Sequence, residues 1–295
     1  MNLDILPQLI ASGLSVGSLY AIMAVGFVLI FKTTHIVNFS HGDIAMFSAF
    51  VALLGLTSWG IPYWQAFLIA IVVGFVLGLV ANTLLRPAIS RGANVFTLMI
   101  GTLGISLMLN ALAGNFFGYQ TVSFPRAIIG PPLRIFDIAI TRHSIVVFIV
   151  GGILAIGLYL MLKHTRLGTA MRAMARNSRA AQLMGISIAS VAMLAWGIGS
   201  AMGAVAGVLV APVVFLDLTR MILVMIKGFA AAVLGGFTSL PGAFIGGLLV
   251  GVFENLIGFY ISSQFQTTFV FLLIVIILAI KPTGLLGAPV AGGRT

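Results

Sequence analysis

KHTRLGTAMRAMARNSRAAQLMGI, residues Lys163–Ile186, carries Lys163, Arg166, Arg172, Arg176 and Arg179 and not one acid. The rest of the chain is of opposite character. Of 295 residues 61% are apolar and 7% charged, and the mean hydropathy is +1.22. A soluble globule needs about a quarter of its residues charged, so this chain belongs in lipid. The net charge of +10 suggests nucleic acid at first sight. Its cations, however, lie in short gaps between apolar runs, which is how membrane orientation is written, and nucleic acid is set aside. The absence of cysteine excludes disulfides, thiolate metal sites and thiol nucleophiles. The opening MNLDILPQLI has an acid and no cation, unlike the positive start of a cleavable signal peptide.

Working outward from the basic stretch, about 20 apolar residues are needed to cross the hydrocarbon core. Nine segments are candidates: 8–31, 38–58, 64–86, 94–116, 144–163, 188–211, 221–236, 242–262 and 266–281. The expected fold is therefore an all-α polytopic membrane protein of eight or nine transmembrane helices, forming one domain over residues 1–295. Segment 221–236 is short and ends in the turn signal GGFTSLPG, so it is either a short span or a re-entrant helix. With the N-terminus outside, ten cations fall on the cytoplasmic side: Lys32, Arg86, Arg91, the five of the basic stretch, Lys281 and Arg294. Five fall outside: Arg126, Arg134, Arg142, Arg220 and Lys227. The excess favours N-out and C-in. The longest outer loop, 117–143, holds FPRAIIGPPLRIFD, whose prolines and Asp137 suit an ordered, non-helical cap.

Glycines recur every four residues at Gly13 and Gly17, Gly74 and Gly78, Gly199 to Gly207, Gly242 and Gly246, and Gly247 and Gly251. That spacing lines one helix face and lets backbones approach. GFVLGLVAN (74–82) and GLLVGVFEN (247–255) share Gly, Gly and Asn in helices of opposite direction. This is the sign of an inverted repeat pairing spans one to four with six to nine.

Phosphate-loop, zinc-helix and nucleophile-elbow motifs are absent, and His35 and His41 do not share a helical face, so neither enzyme chemistry nor a metal or cofactor is expected. Polar groups inside the apolar pattern are the alternative candidates. Ser40 followed by Asp43 reads as a capping box, with Asn38 and His41 beside it, at a helix start that suits a carboxylate. Glu254, followed by Asn255, lies ~18 Å along its helix, beyond the midplane, where an ionisable group must meet protein or water. A buried cation partner, a broken helix end to cap or a place on a pathway would satisfy it. In the basic stretch, Asn177 or Ser178 can cap a short helix that presents Ala180, Ala181, Leu183 and Met184 and stops at Gly185. A short apolar-faced helix beside the membrane fits a docking element for a soluble partner.

GLSVGSLYAIMAVGFVLIF, VNFSHGDIAMFSAF, RAMARNSRAAQLMGI, GSAMGAVAGVLVAP, KGFAAAVLGGFTSLPGAFIGGLLVGVFEN and KPTGLLG together resemble the membrane permeases of bacterial branched-chain amino acid ABC importers. The resemblance implies an inner-membrane subunit that works with a second related permease, two cytoplasmic ATPases that bind the ATP, and a periplasmic binding protein. It implies that Arg176, Asn177, Ser178, Arg179, Ala180, Ala181, Gln182, Leu183, Met184 and Gly185 form the segment that couples to an ATPase. Arg179 departs from that pattern, standing where an acid is often found. Asn38, Ser40, His41, Asp43, Glu254 and Asn255 are the expected pathway residues. Related permeases carry urea, short amides or aromatic acids. The reading from a different class is an ion-coupled secondary transporter with Asp43 or Glu254 as the coupling group, and a stand-alone channel is a third.

Overall fold

A computed structural model describes residues 5–135 and 138–287. Asp137 and Arg294, both used above, lie outside the described residues. Eleven helices follow in order: α1 (Leu6–Thr34), α2 (His41–Thr57), α3 (Tyr63–Ser90), α4 (Val95–Phe117), α5 (Arg142–His164), α6 (Arg166–Arg176), α7 (Ser178–Leu183), α8 (Ile188–Val214), α9 (Arg220–Gly235), α10 (Leu240–Tyr260) and α11 (Gln266–Ile280). Between α4 and α5 a small antiparallel hairpin pairs β1 (Leu133–Ile135) with β2 (Ile138–Ile140), Leu133 opposite Ile140.

Each of the nine expected spans is met by a helix. Seven are long and apolar enough to cross a membrane: α1, α3, α4, α5, α8, α10 and, with the turn before it, α11. Helix α2 has 17 residues and α9 has 16, which gives each about 25 Å against the ~30 Å hydrocarbon core. The stripe Leu68, Val72, Val76, Leu84 along α3 stays exposed, as a lipid-facing side must.

The chain divides into two compact units. One is built from the described parts of Met1–Val25, Arg126–Ile156 and Ile226–Thr295. Here Gly13 and Gly17 of α1 meet Gly251 and Gly247 of α10 backbone to backbone; a Cβ on Gly13 would stand 2.7 Å from Val252 Cα. Gly246 of α10 is pressed onto Ala231 of α9 in the same way. Ser239 caps α10 by accepting from Gly242 N–H at 3.1 Å, with Pro241 in its first turn. The chain after α11 closes this end. Leu285 and Leu286 N–H donate to the carbonyls of Leu234 and Gly235 at 2.8 and 3.1 Å, satisfying the last turn of α9.

The other unit comprises Gly26–Pro125 and Gly157–Met225. Its most extensive interface is α3 on α8, where Gly78 lies against Trp196 and Ser200, and Gly74 against Ser200 and Ala204. Trp196, fully buried, joins Ile30, Ile44, Leu85 and Leu109 in the core. Gly207 of α8 meets Ala45 of α2. Every four-residue glycine pattern read from the sequence thus sits at a helix crossing.

Candidate functional site

Between α1 and α2 the helix is broken, with His35 at φ 57° and residues 36–40 outside any helix. The expected capping box is not formed. Ser40 stands at φ −78°, ψ 0°, a helical conformation rather than the extended one from which a side chain reaches back to the first turn. Its hydroxyl instead donates to Asn38 Oδ1 at 2.6 Å, and its N–H reaches the same oxygen at 3.0 Å. Asp43, 1% exposed, turns sideways to α4, where its carboxylate accepts from the Ser106 hydroxyl and, at 3.3 Å, from Asn110 Nδ2. Asn110 also donates to Leu218 O at 2.8 Å, and Phe39 N–H donates to Thr102 Oγ1 at 3.0 Å. Thr102, Ser106 and Asn110 therefore make a polar stripe facing the break. Their four-residue spacing in an otherwise greasy helix was the available signal.

His41 belongs to the packing here. It is fully buried, its ring centroid lies 4.5 Å from that of Phe27, and Gly26 and Gly203 leave room for the imidazole on either side. Asn38 Nδ2 is buried and has no hydrogen-bond acceptor among the described residues.

In the other unit Glu254 of α10, 8% exposed, forms an ion pair with Lys227 of α9. The Lys227 ammonium also lies 5.6 Å from the Tyr20 ring. Asn255, the next residue, donates to Leu9 O at 2.8 Å and ties α10 to α1. Asp43 and Glu254 thus fall in different units.

The basic stretch folds as two short helices. Thr165 caps α6 by accepting from Gly168 N–H at 3.0 Å, and Gly168, Met171 and Met174 make its buried side. Asn177, not Ser178, caps α7, its Oδ1 accepting from Ala180 N–H at 3.0 Å; the Ser178 hydroxyl donates to Met174 O. The helix stops at Gly185, φ 82°, where Ile186 N–H reaches Ala181 O at 3.1 Å and Gly185 N–H reaches Gln182 O at 3.0 Å. This is a Schellman closure, whose left-handed residue favours glycine. One expectation is corrected. Ala181 is 4% exposed and faces inward, because one residue is about 100° of helix turn away from Ala180. The outward face is Ala180, Leu183 and Met184, the last two 86% and 82% exposed, flanked by exposed Arg176, Arg179 and Gln182.

Seven helices long and apolar enough to cross a membrane, joined at glycine-lined crossings, make this a polytopic α-helical membrane protein. The model of the branched-chain amino acid transport system permease component matches residues 9–280, and the chain belongs to that family. It is 32% identical to the permease protein LivH of Salmonella typhimurium, with 96% of both chains covered. It is likewise 32% identical to BraD of Pseudomonas aeruginosa over 96% of each, and 34% identical to the probable LivH of Methanocaldococcus jannaschii over 97% of this chain and 92% of the relative. Among solved structures, PsaBC of Streptococcus pneumoniae in complex with Fab shares the fold with a TM-score of 0.53 at 14% identity, 95% of each chain covered.

Proposed function

We propose that this chain is the permease subunit of an ABC importer for branched-chain amino acids, a single transmembrane domain in a bacterial inner membrane with N-out, C-in orientation. The names of the Salmonella and Pseudomonas relatives, high-affinity branched-chain amino acid transport system permeases, support the cargo. Partner subunits bind and hydrolyse ATP, a periplasmic protein delivers substrate, and a second permease of the same family completes the path. The observation that carries this reading is α7: a helix capped at both ends that holds two large apolar side chains in water. Such a face is what an ATPase groove would receive.

The helix crossings support an inverted repeat. Helix α3 packs on α8 through Gly74 and Gly78, while α10 packs on α1 through Gly247 and Gly251. If α1–α4 correspond to α8–α11, these are the same contact made twice. The path runs beside the α1–α2 break, where Asn38 Nδ2 offers a donor to a carboxylate and Asp43 an acceptor to an ammonium. Glu254 and Asn255 serve the frame.

The test is ATP-dependent leucine uptake in vesicles holding the chain with its partner subunits. Uptake that needs ATP and falls with Asn38→Ala plus Ser40→Ala supports the reading. Uptake by this chain alone, driven by a proton or sodium gradient, would replace it with the secondary-transporter reading.

A further inference from the structure

A cavity of about 810 Å³ opens in the second unit, where α1 and α3 end and α8 begins. Helix α7 forms one wall. Its volume falls in the range of sites that take a small molecule or a lipid head. Arg86 from α3 and Arg179 from α7 both line it, no Asp or Glu does, and neither guanidinium donates a hydrogen bond or forms an ion pair among the described residues. Asn82 also lines it. That residue is 6% exposed, and its buried Nδ2 finds no acceptor among the described residues. The first turn of the 27-residue α8 completes the wall; Ser187 makes no capping bond to it and pairs its hydroxyl with Ser190 instead, 3.0 Å away. The donors at that helix start, two guanidiniums and a buried amide all call for an acceptor, and negative charge is favoured at such a start. Ile36, Ile89 and Ile188 make much of the remaining surface apolar.

We propose that this cavity binds an amphiphilic oxyanion, a phosphate or carboxylate carried on an apolar stem. Arg86, Arg179 and Asn82 hold the oxygens, and the isoleucines hold the stem. Two sources share that chemistry: an anionic phospholipid, whose headgroup lies at the level of the helix ends, and a free hydrophobic amino acid. Because Arg179 stands on α7, either occupant ties α7 to α3 and α8. The proposal goes beyond the importer reading and does not depend on ATPase docking.

Native mass spectrometry of the full chain in detergent can count bound dioleoylphosphatidylglycerol against dioleoylphosphatidylcholine, and calorimetry can measure leucine binding to the same preparation. If the lipid is the source, phosphatidylglycerol is retained roughly tenfold better than phosphatidylcholine, and Arg86→Gln with Arg179→Gln removes most of that preference. Arg166→Gln, a cation on α6 outside the cavity, keeps it. If the amino acid is the source, leucine binding is lost in the same double variant. Both substituted side chains are exposed, so an unchanged melting temperature shows that the variant is folded. The proposal is overturned if the double variant binds both probes as the parent does, or if Arg166→Gln loses the lipid preference equally.

Discussion

Asp43 and Glu254 each sit in an apolar helix and are less than a tenth exposed, yet they meet different partners. Glu254 meets an ammonium, Lys227, from the neighbouring helix; Asp43 meets the hydroxyl of Ser106 and the amide of Asn110. The difference lies in what each arrangement tolerates. An ion pair in low dielectric stands only while both charges are present, since removing one leaves the other uncompensated. A carboxylate held by neutral donors has no cationic partner among the described side chains, so removing one donor strands no opposite charge. One arrangement fastens α9 to α10, while the other leaves a charged group at a helix break.

The largest effect should come from splitting the ion pair. Lys227→Met is expected to cost about 3–5 kcal/mol by stranding Glu254, and adding Glu254→Gln should restore most of the loss. Thermal unfolding of both variants in detergent measures this; equal loss in the single and the double would break the contrast with Asp43. Asp43→Asn keeps a polar group of the same size, so its stability cost should stay near 1 kcal/mol while leucine uptake drops at least tenfold. Uptake and melting point measured on one preparation sharpen the comparison, and a variant that melts like Lys227→Met but transports normally would reverse it.

The inward turn of Ala181 extends the contrast to the basic stretch. Ala181→Glu places a charge in the permease's own packing and should lower its melting point, whereas Leu183→Ser with Met184→Ser should leave melting unchanged and release the ATPase. Co-purification beside a melt separates the two; an ATPase retained by the serine double would remove α7 as the dock. The smallest effect belongs to a third carboxylate, Asp217, on the link between α8 and α9. Its partial burial would raise its pKa, but the N–H groups of Thr219 and Arg220, the Thr219 hydroxyl and the Arg220 guanidinium together hold it below the ordinary aspartate value of 3.8. The stabilisation is therefore complete above that value and lost as pH falls through the depressed one. Asp217→Asn should abolish this acid-side loss and otherwise shift melting little, as expected for a pair at the surface whose Arg220 side chain is 48% exposed.

Hydropathy and spacing alone placed a helix at each of the nine expected spans, the glycine faces and the two ends of the short helix α7. A helix start at Asn177 or Ser178, Gly185 as a stop and the five glycine patterns were readable because a helix repeats every few residues, and its ends are set by neighbours in sequence; the choice of Asn177 was made in the structure. The partners of the buried polar groups were decided only by the tertiary structure. Ser40 and Asp43 have the spacing of a capping box, yet Asp43 went to Ser106 and Asn110, more than sixty residues away, because α4 brought donors within reach of a carboxylate already desolvated. Lys227 reached Glu254 for the same reason. The phase of α7, which turned Ala181 inward and left Leu183 and Met184 outside, followed from what lies beneath that helix. Local periodicity says which residues share a face; which face is buried, and against what, depends on helices far apart in the chain that pack together in three dimensions.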